Sequence, residues 1–309
     1  LEPRNDAIII GGGAAGLSAA LVLGRARRNV VVLDDARPRN AAAEFSHGFF
    51  TRDGARPGEI ARLARRDLAA YPSVRIETAA ATAATRSGDG FSVTDATGRR
   101  YAGKKLLIAT GVFDELPRVP GLDERWGKSI FVCPFCDGWE VQDQVLGIYG
   151  KGHEAVGLAQ ELRGWSTQLV VCAETDDLTA DDRLWLAATD TRFNVGPLRA
   201  ITGPGNTLRF EDAEEIVCDA LFLTAPLRQH SPLFAALGCA VDADKMIVVD
   251  KHFHTTVDGC YAAGDAVTAR HQVIIAAASG AAAAITISCN LLEAEAAGLV
   301  MKARNPKQF

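Results

Sequence analysis

The sequence predicts an α/β protein built from Rossmann-like, three-layer nucleotide-binding domains, and three observations carry that reading. A short apolar strand at 7–10 runs into GGGAAG at 11–16 and then into a helical stretch. A second strand–turn–helix unit follows at 145–163, with GKGHEA at 150–155. The length of 309 residues suits two such domains. Hydrophobic and charged shares of 48% and 23% are enough to bury a core and stay solvated. A formal net charge of -5 gives no basic signature of nucleic-acid binding.

In the first unit Gly11 permits the tight turn, Gly13 lets the backbone approach a pyrophosphate and Gly16 allows close helix packing. The helix N-terminus supplies amide donors to phosphate. The strand at 29–33 ends in Asp34 and Asp35, and Asp34 stands at the ribose-acid distance from the glycines. Next comes a polar, turn-rich segment holding Arg39, Asn40 and His47. It suits a connection wrapped around a cofactor and a plain surface loop equally well. A helix is expected at 58–70 and a strand at 74–77. Strands at 91–94 and 100–109 form a meander around Thr97 and Gly98. The last ends in Ala109, Thr110 and Gly111, and the Pro and Gly residues at 116–121 mark a boundary.

The stretch FVCPFCDGWE at 131–140 places Cys133 and Cys136 in C-x-x-C spacing with Asp137 directly after. Two thiols so close can cycle between dithiol and disulfide, and a neighbouring carboxylic acid can carry the proton a thiolate loses or regains. A zinc site would need a second ligand pair, which His153 and Cys172 do not form, so no metal is expected. A structural disulfide suits an oxidising compartment, whereas this chain reads as cytoplasmic. Cys172, Cys218, Cys239, Cys260 and Cys289 read as buried free thiols.

In the second unit Gly150 and Gly152 keep the first two glycines of a dinucleotide turn, Ala155 takes the third place and Glu174 stands at the ribose-acid position. The run AETDD at 173–177 would repel a 2′-phosphate, so NADPH is disfavoured. The alternative to NAD(P)H binding is a Rossmann-like shell that no longer holds a nicotinamide. Strands follow near 195, 208–210 and 220–224. A helix rich in alanine opens at 270–273 and runs towards 292, helical spacing resumes through 293–301, and 302–309 is a polar tail. No apolar run reads as long enough to span a membrane, and the start has no signal-peptide core. Phe309 is expected to end a disordered tail; the alternative is an aromatic ring stacked where a nicotinamide would otherwise sit.

Taken together, Gly11 to Gly16, Ala109 to Gly111, Cys133 to Gly138, Gly150 to Ala155, and YAAGD at 261–265 with Gln272 resemble a low-molecular-weight thioredoxin reductase of the pyridine nucleotide-disulfide oxidoreductase class, over nearly the whole length. The resemblance implies an α/β fold of two Rossmann-like three-layer (ββα-type) nucleotide-binding domains, one inserted in the other. The FAD-binding domain would be discontinuous, 1–115 and 246–309. The inserted NAD(P)-binding-like domain, 118–243, would carry the redox disulfide. Each would include a small antiparallel meander. Ala15, Asp35 and Ala81 join the glycines as expected FAD contacts, Gly264 and Asp265 lie near the ribityl and phosphates, and His271, Gln272 and Val273 near the ring. Asp137 matches the acid that protonates the thiolate. Cys136 would face the flavin and Cys133 would attack the partner, in a homodimer whose domains rotate.

Three departures qualify the resemblance. The basic run for the NADPH 2′-phosphate is replaced by acids. His271 stands where arginine is common. Pro134 and Phe135, with Trp139 and Glu140, resemble dithiol oxidases that close disulfides in small natural products, although Asp137 is the reductases' residue. The expectation is therefore a flavoprotein that passes electrons from FAD to the Cys133–Cys136 disulfide and on to a thioredoxin-type protein disulfide, from a donor other than NADPH, with ferredoxin a candidate. One alternative is an FAD-dependent dithiol oxidase acting on small molecules with oxygen as acceptor. The other is a flavin-binding redox sensor.

Overall fold

The computed structural model describes residues 4–211 and 214–304. Among the described residues seven α-helices run in chain order as α1 (Ala14–Arg25), α2 (Pro57–Leu68), α3 (Pro134–Asp137), α4 (Gly152–Leu162), α5 (Ala180–Ala188), α6 (Leu233–Leu237) and α7 (Val273–Arg304). The chain divides into two compact units. The first holds the described parts of 1–39, 58–113 and 228–309, and the second 40–57 and 114–227. The boundaries read from sequence differ in two places. Residues 40–57 belong with the second unit, where a Cβ on Gly127 would strike the Ala42 carbonyl. Residues 228–245 belong with the first, because Leu233 and Cys239 enter its core.

The first unit is built on a seven-stranded sheet. Its first six strands are β1 (Asn5–Ile10), β2 (Val30–Asp34), β3 (Val74–Thr78), β4 (Ala81–Ser87), β5 (Gly90–Asp95) and β6 (Arg100–Ile108), in the order β3-β2-β1-β6-β5-β4. β1 and β2 are buried along their whole length, which is why they read as unbroken apolar runs rather than alternating ones. β6 pairs parallel with β1 on one side and divides its other side between two partners. Its first half pairs antiparallel with β5 to make the meander, and its second half pairs parallel with Cys260–Ala262. The parallel register sets Ile10 beside Leu33 and Ile108, and Ile108 beside Ala262, so four strands end at one edge.

Helix α7 is a single helix of 32 residues, where the sequence suggested a pause after 292 and a tail from 302. Its apolar window reaches a mean hydropathy of 1.7, so by length and composition it could cross a membrane, which corrects the expectation that no run could. One face packs on α1 through small residues. A Cβ on Gly280 would collide with the backbone of Ala15, and Ala276, Ala283, Ala284, Ile287 and Leu291 join the core. The opposite face exposes Ile285, Leu292 and Leu299. Phe309 lies outside the described residues.

The second unit carries a five-stranded parallel sheet, ordered Arg192–Val195, Leu169–Ala173, Leu146–Gly150, Ala220–Leu223, Ile130–Phe131, and a separate antiparallel meander of Leu198–Thr202, Asn206–Phe210 and Ile216–Cys218. Helix α5 begins with a reciprocal cap: Asp182 N–H donates to Thr179 Oγ1 (3.1 Å) and Thr179 N–H to Asp182 Oδ2 (2.8 Å). Asp182→Ala is expected to cost about 1–2 kcal/mol in urea unfolding of the chain.

Candidate active site

The Cys133–Cys136 pair is bonded as a disulfide with Cα atoms 5.3 Å apart. Cys133 caps α3 in extended conformation and Pro134 takes the first helical position, where its missing N–H costs nothing. The amides of Cys136 and Asp137 both donate to the Cys133 carbonyl, at 3.1 and 3.2 Å, and this turn brings the two sulfurs to the same end. At Gly138 any Cβ would strike the Pro134 carbonyl and the ring of Trp165, which itself stands edge-on to Phe135 at 5.2 Å.

Beside the disulfide lies a cleft of about 540 Å³ lined by His47, Asp53, Pro134, Phe135, Cys136, Trp139, Glu140 and Trp165. Cys136, rather than Cys133, is the sulfur on its wall. Phe135 and Trp139 are among the most exposed aromatics of the chain, at 69% and 68%. Exposed rings against a half-buried disulfide make an apolar rim for whatever meets Cys136. His47 Nε2 is 3.4 Å from Glu140 Oε1, and its Nδ1 is 3.6 Å from Asp53 Oδ1. Asp137 is pushed up to about 6, first by burial and next by the negative charge of Glu140, with His47 pulling the other way. A carboxyl so placed holds its proton close to neutrality, as an acid serving a thiolate must.

His47 and Asn40 lie on the segment that the sequence leaves open between a cofactor wrap and a surface loop. Both belong to the second unit, where Asn40 donates to Ser46 Oγ at 3.4 Å and His47 faces the disulfide cleft. Arg39 belongs to the first unit, its guanidinium 3.5 Å from Asp265.

The first unit gathers the remaining candidates at the edge where its parallel strands end. Gly11 has φ 109°, and a Cβ there would enter the Ala109 carbonyl. A Cβ on Gly16 would enter the Gly11 carbonyl, while Gly13 faces open space. Ala15 is buried beneath the α7 contact. No side chain caps α1 and no acid stands in its first turn. Asp34 is buried against Gly12, pairs with Arg65 and accepts the Ala36 N–H at 3.0 Å. Asp35 pairs with Arg37 at 3.0 Å. The Ala79 amide donates to the Asp34 carbonyl two residues before Ala81. The Thr110 hydroxyl is buried with no hydrogen-bond partner, and Gly111 turns the chain at φ 67°. Gly264 donates its N–H to Ser279 Oγ at 2.9 Å and holds Asp265 at the sheet edge. His271 and Gln272 directly precede α7, and Val273 opens it. A bare helix N-terminus, a glycine cradle and an orphaned hydroxyl fit a bound dinucleotide.

The second glycine turn is different. The Gly152 N–H, at the start of α4, donates to Asp177 Oδ1 at 2.8 Å, and the Thr175 hydroxyl donates to the same oxygen at 2.8 Å. These bonds, Thr175 first, hold Asp177 below the usual carboxylate range. Asp176 pairs with Arg183 at 2.6 Å and Asp182 with His153 at 2.8 Å. Glu174 is exposed, its amide on the Gly150 carbonyl at 2.7 Å, and Ala155 is buried in the core. The acidic run therefore folds back over the N-terminus of α4, and the Asp177 carboxylate takes up its Gly152 amide. Asp177 was read from sequence only as one charge in a repelling run.

A family profile described as pyridine nucleotide-disulphide oxidoreductase matches residues 5–283. A probable thioredoxin reductase of Arthroderma benhamiae is 32% identical over 86% of this chain and 74% of its own. Thioredoxin reductase tcpT of Claviceps purpurea is 33% identical over 84% and 86%. The crystal structure of HlmI superposes with a TM-score of 0.93 at 34% identity, covering 99% of this chain and 98% of that one.

Proposed function

From a chain that belongs to the pyridine nucleotide-disulphide oxidoreductase family, and is a thioredoxin reductase-like disulfide oxidoreductase, we propose a flavoprotein whose Cys133–Cys136 pair exchanges electrons with FAD held in the first unit, without a nicotinamide dinucleotide in the second. The family is FAD-binding, and the bare α1 N-terminus supports that cofactor here. FAD, when bound, supplies a two-electron partner for the disulfide. Everything else falls to the chain's own residues. Gly13 and the first amides of α1 would hold the pyrophosphate, Asp34 the ribose, and Gly264–Asp265 the phosphate and ribityl side. Asp137 delivers a proton to a departing thiolate, or takes one from a thiol, depending on direction.

The observation that carries the proposal is the Asp177 carboxylate on the Gly152 amide. A dinucleotide phosphate would have to displace it and then meet Glu174 and Asp176 of the same acidic run, and like charges at such range repel. The substrate is a disulfide presented by a thioredoxin-like protein, as the names of the relatives imply, with ferredoxin a candidate donor. A second reading, oxidation of a small dithiol with oxygen as final acceptor, is favoured by the aromatic cleft beside Cys136. Its volume falls in the range of small-molecule sites, roughly 300–1,000 Å³. A homodimer is supported by the exposed apolar face of α7, which sedimentation would test directly.

Anaerobic reduction followed at the flavin absorbance tests the donor. NADPH and NADH at micromolar concentration are expected to leave the flavin oxidised, whereas reduced ferredoxin or a small dithiol bleaches it. Bleaching by either nicotinamide would sink the proposal. Bleaching by the small dithiol alone, reversed by air with release of peroxide, selects the second reading. Retention of flavin with no turnover of any disulfide or dithiol would leave the sensor.

A further inference from the structure

The first unit contains a second pair of facing thiols that the disulfide chemistry of Cys133 and Cys136 does not use. Cys239 follows Gly238, which turns the chain out of α6 at φ 86°. Cys260 opens the strand Cys260–Ala262 beside β6. Their sulfurs lie 3.9 Å apart inside the core, and Cys239 Sγ also lies 3.6 Å from Thr255 Oγ1. Cys260 is fully buried, while Cys239 keeps 7% of its surface. The other two buried thiols, Cys172 and Cys218, belong to the second unit, and burial pushes each up to about 12. In the facing pair, by contrast, the contact between the two sulfurs lowers Cys239 and raises Cys260, so the pair favours one thiolate and one thiol.

We propose that Cys239 and Cys260 form a peroxide-oxidisable dithiol, a modification site separate from the exchanged disulfide. The Cys239 thiolate attacks one oxygen of a peroxide, the O–O bond breaks, and hydroxide leaves Cys239 as a sulfenic acid. The Cys260 sulfur then attacks the sulfenic sulfur, the S–O bond breaks, and water departs with the Cys260 proton. Two thiols have lost two electrons and one peroxide has gained them, giving two waters. The bond would tie the end of α6 to the strand that leads directly into Gly264 and Asp265, so oxidation would brace the loop assigned to the cofactor.

The test uses the full chain carrying Cys133→Ser and Cys136→Ser, so that the exchanged pair cannot contribute. The protein is treated with hydrogen peroxide, alkylated under denaturing conditions and digested without reductant. Lys245 and Lys251 lie between the two cysteines, so trypsin separates them. The expected product is a linked Cys239–Cys260 peptide pair, two hydrogens lighter than the separate thiol peptides and split by dithiothreitol, with Cys172 and Cys218 recovered alkylated. Adding Cys239→Ser should abolish the link and return Cys260 as an alkylated thiol. Recovery of both cysteines as alkylated thiols would overturn the proposal. So would Cys239 carried to a sulfinic acid beside an intact Cys260 thiol.

Discussion

Asp137→Asn is expected to slow thiol–disulfide exchange through the Cys133–Cys136 pair by about 10²–10³-fold, while raising the stability of the folded chain at neutral pH. The substitution keeps size and polarity and removes the acidic proton. The carboxyl titrates at about 6 because burial and Glu140 oppose its charge. Reduction of an outside disulfide, where a leaving thiolate needs a proton, should therefore fall as pH rises through about 6 in the parent and lose that limb in the variant. The sign for stability is the opposite of the usual carboxylate case. The folded value lies above the ordinary carboxyl value of 3.8, so the folded state binds more protons between these limits. Stability contributed by the neutral acid is present below 3.8 and is lost as pH rises through about 6. Above that, ionised Asp137 opposes folding, and asparagine removes the opposition. Discounted for partial exposure, the gain is ~1 kcal/mol at pH 7.5 and absent at pH 3.5. Stopped-flow exchange and thermal unfolding at both pH values check the pair of effects. A variant both slower and less stable at pH 7.5 would show that Asp137 is a packing residue. Removing Glu140's charge should lower the Asp137 value, and removing His47 should raise it.

The parts of this site legible in the sequence are those encoded by local spacing. GGGAAG at 11–16, Asp34 at the end of a buried strand, and the C-x-x-C-D run all fix geometry within a few residues, so reading them needs only turn and strand chemistry. What escaped depends on contacts across the chain. His47 meets Glu140 although 93 positions separate them, and nothing in the local composition of 40–57 distinguishes a cofactor wrap from a wall of the disulfide cleft. Asp177 reaches the Gly152 amide through a side chain, not a backbone pattern, so its charge was readable and its position was not. The sequence shows α7 as interrupted because most of its core face is alanine, glycine and serine, which give little polar–apolar contrast. Gly280 against Ala15, and Ser279 holding Gly264, explain those small residues once the fold is known. Cys289 was read as buried by type and is exposed, because it lies on the outer face of that helix.

The two glycines at the start of α1 should separate cofactor binding from folding. Gly16→Ala puts a Cβ into the Gly11 carbonyl and within 3.3 Å of Ile9, in a buried turn that cannot widen without lifting α1 off β1 and off α7. The expected cost is about 3 kcal/mol of stability for the apo-protein, and flavin affinity should fall at least about 10²-fold because the first-turn amides move with the helix. Gly13→Ala is the contrasting case. Its backbone, at φ −75° and ψ −170°, accepts any residue, and no protein atom lies within 4 Å of the new methyl. The apo-protein should be as stable as the parent or slightly more so. If the open space above Gly13 is where the pyrophosphate lies, the methyl fills it and FAD binding falls by a comparable factor. Urea unfolding of both apo-proteins and fluorescence titration with FAD give the four numbers needed. Unchanged FAD affinity in Gly13→Ala would move the pyrophosphate away from this turn, however unstable Gly16→Ala proved to be.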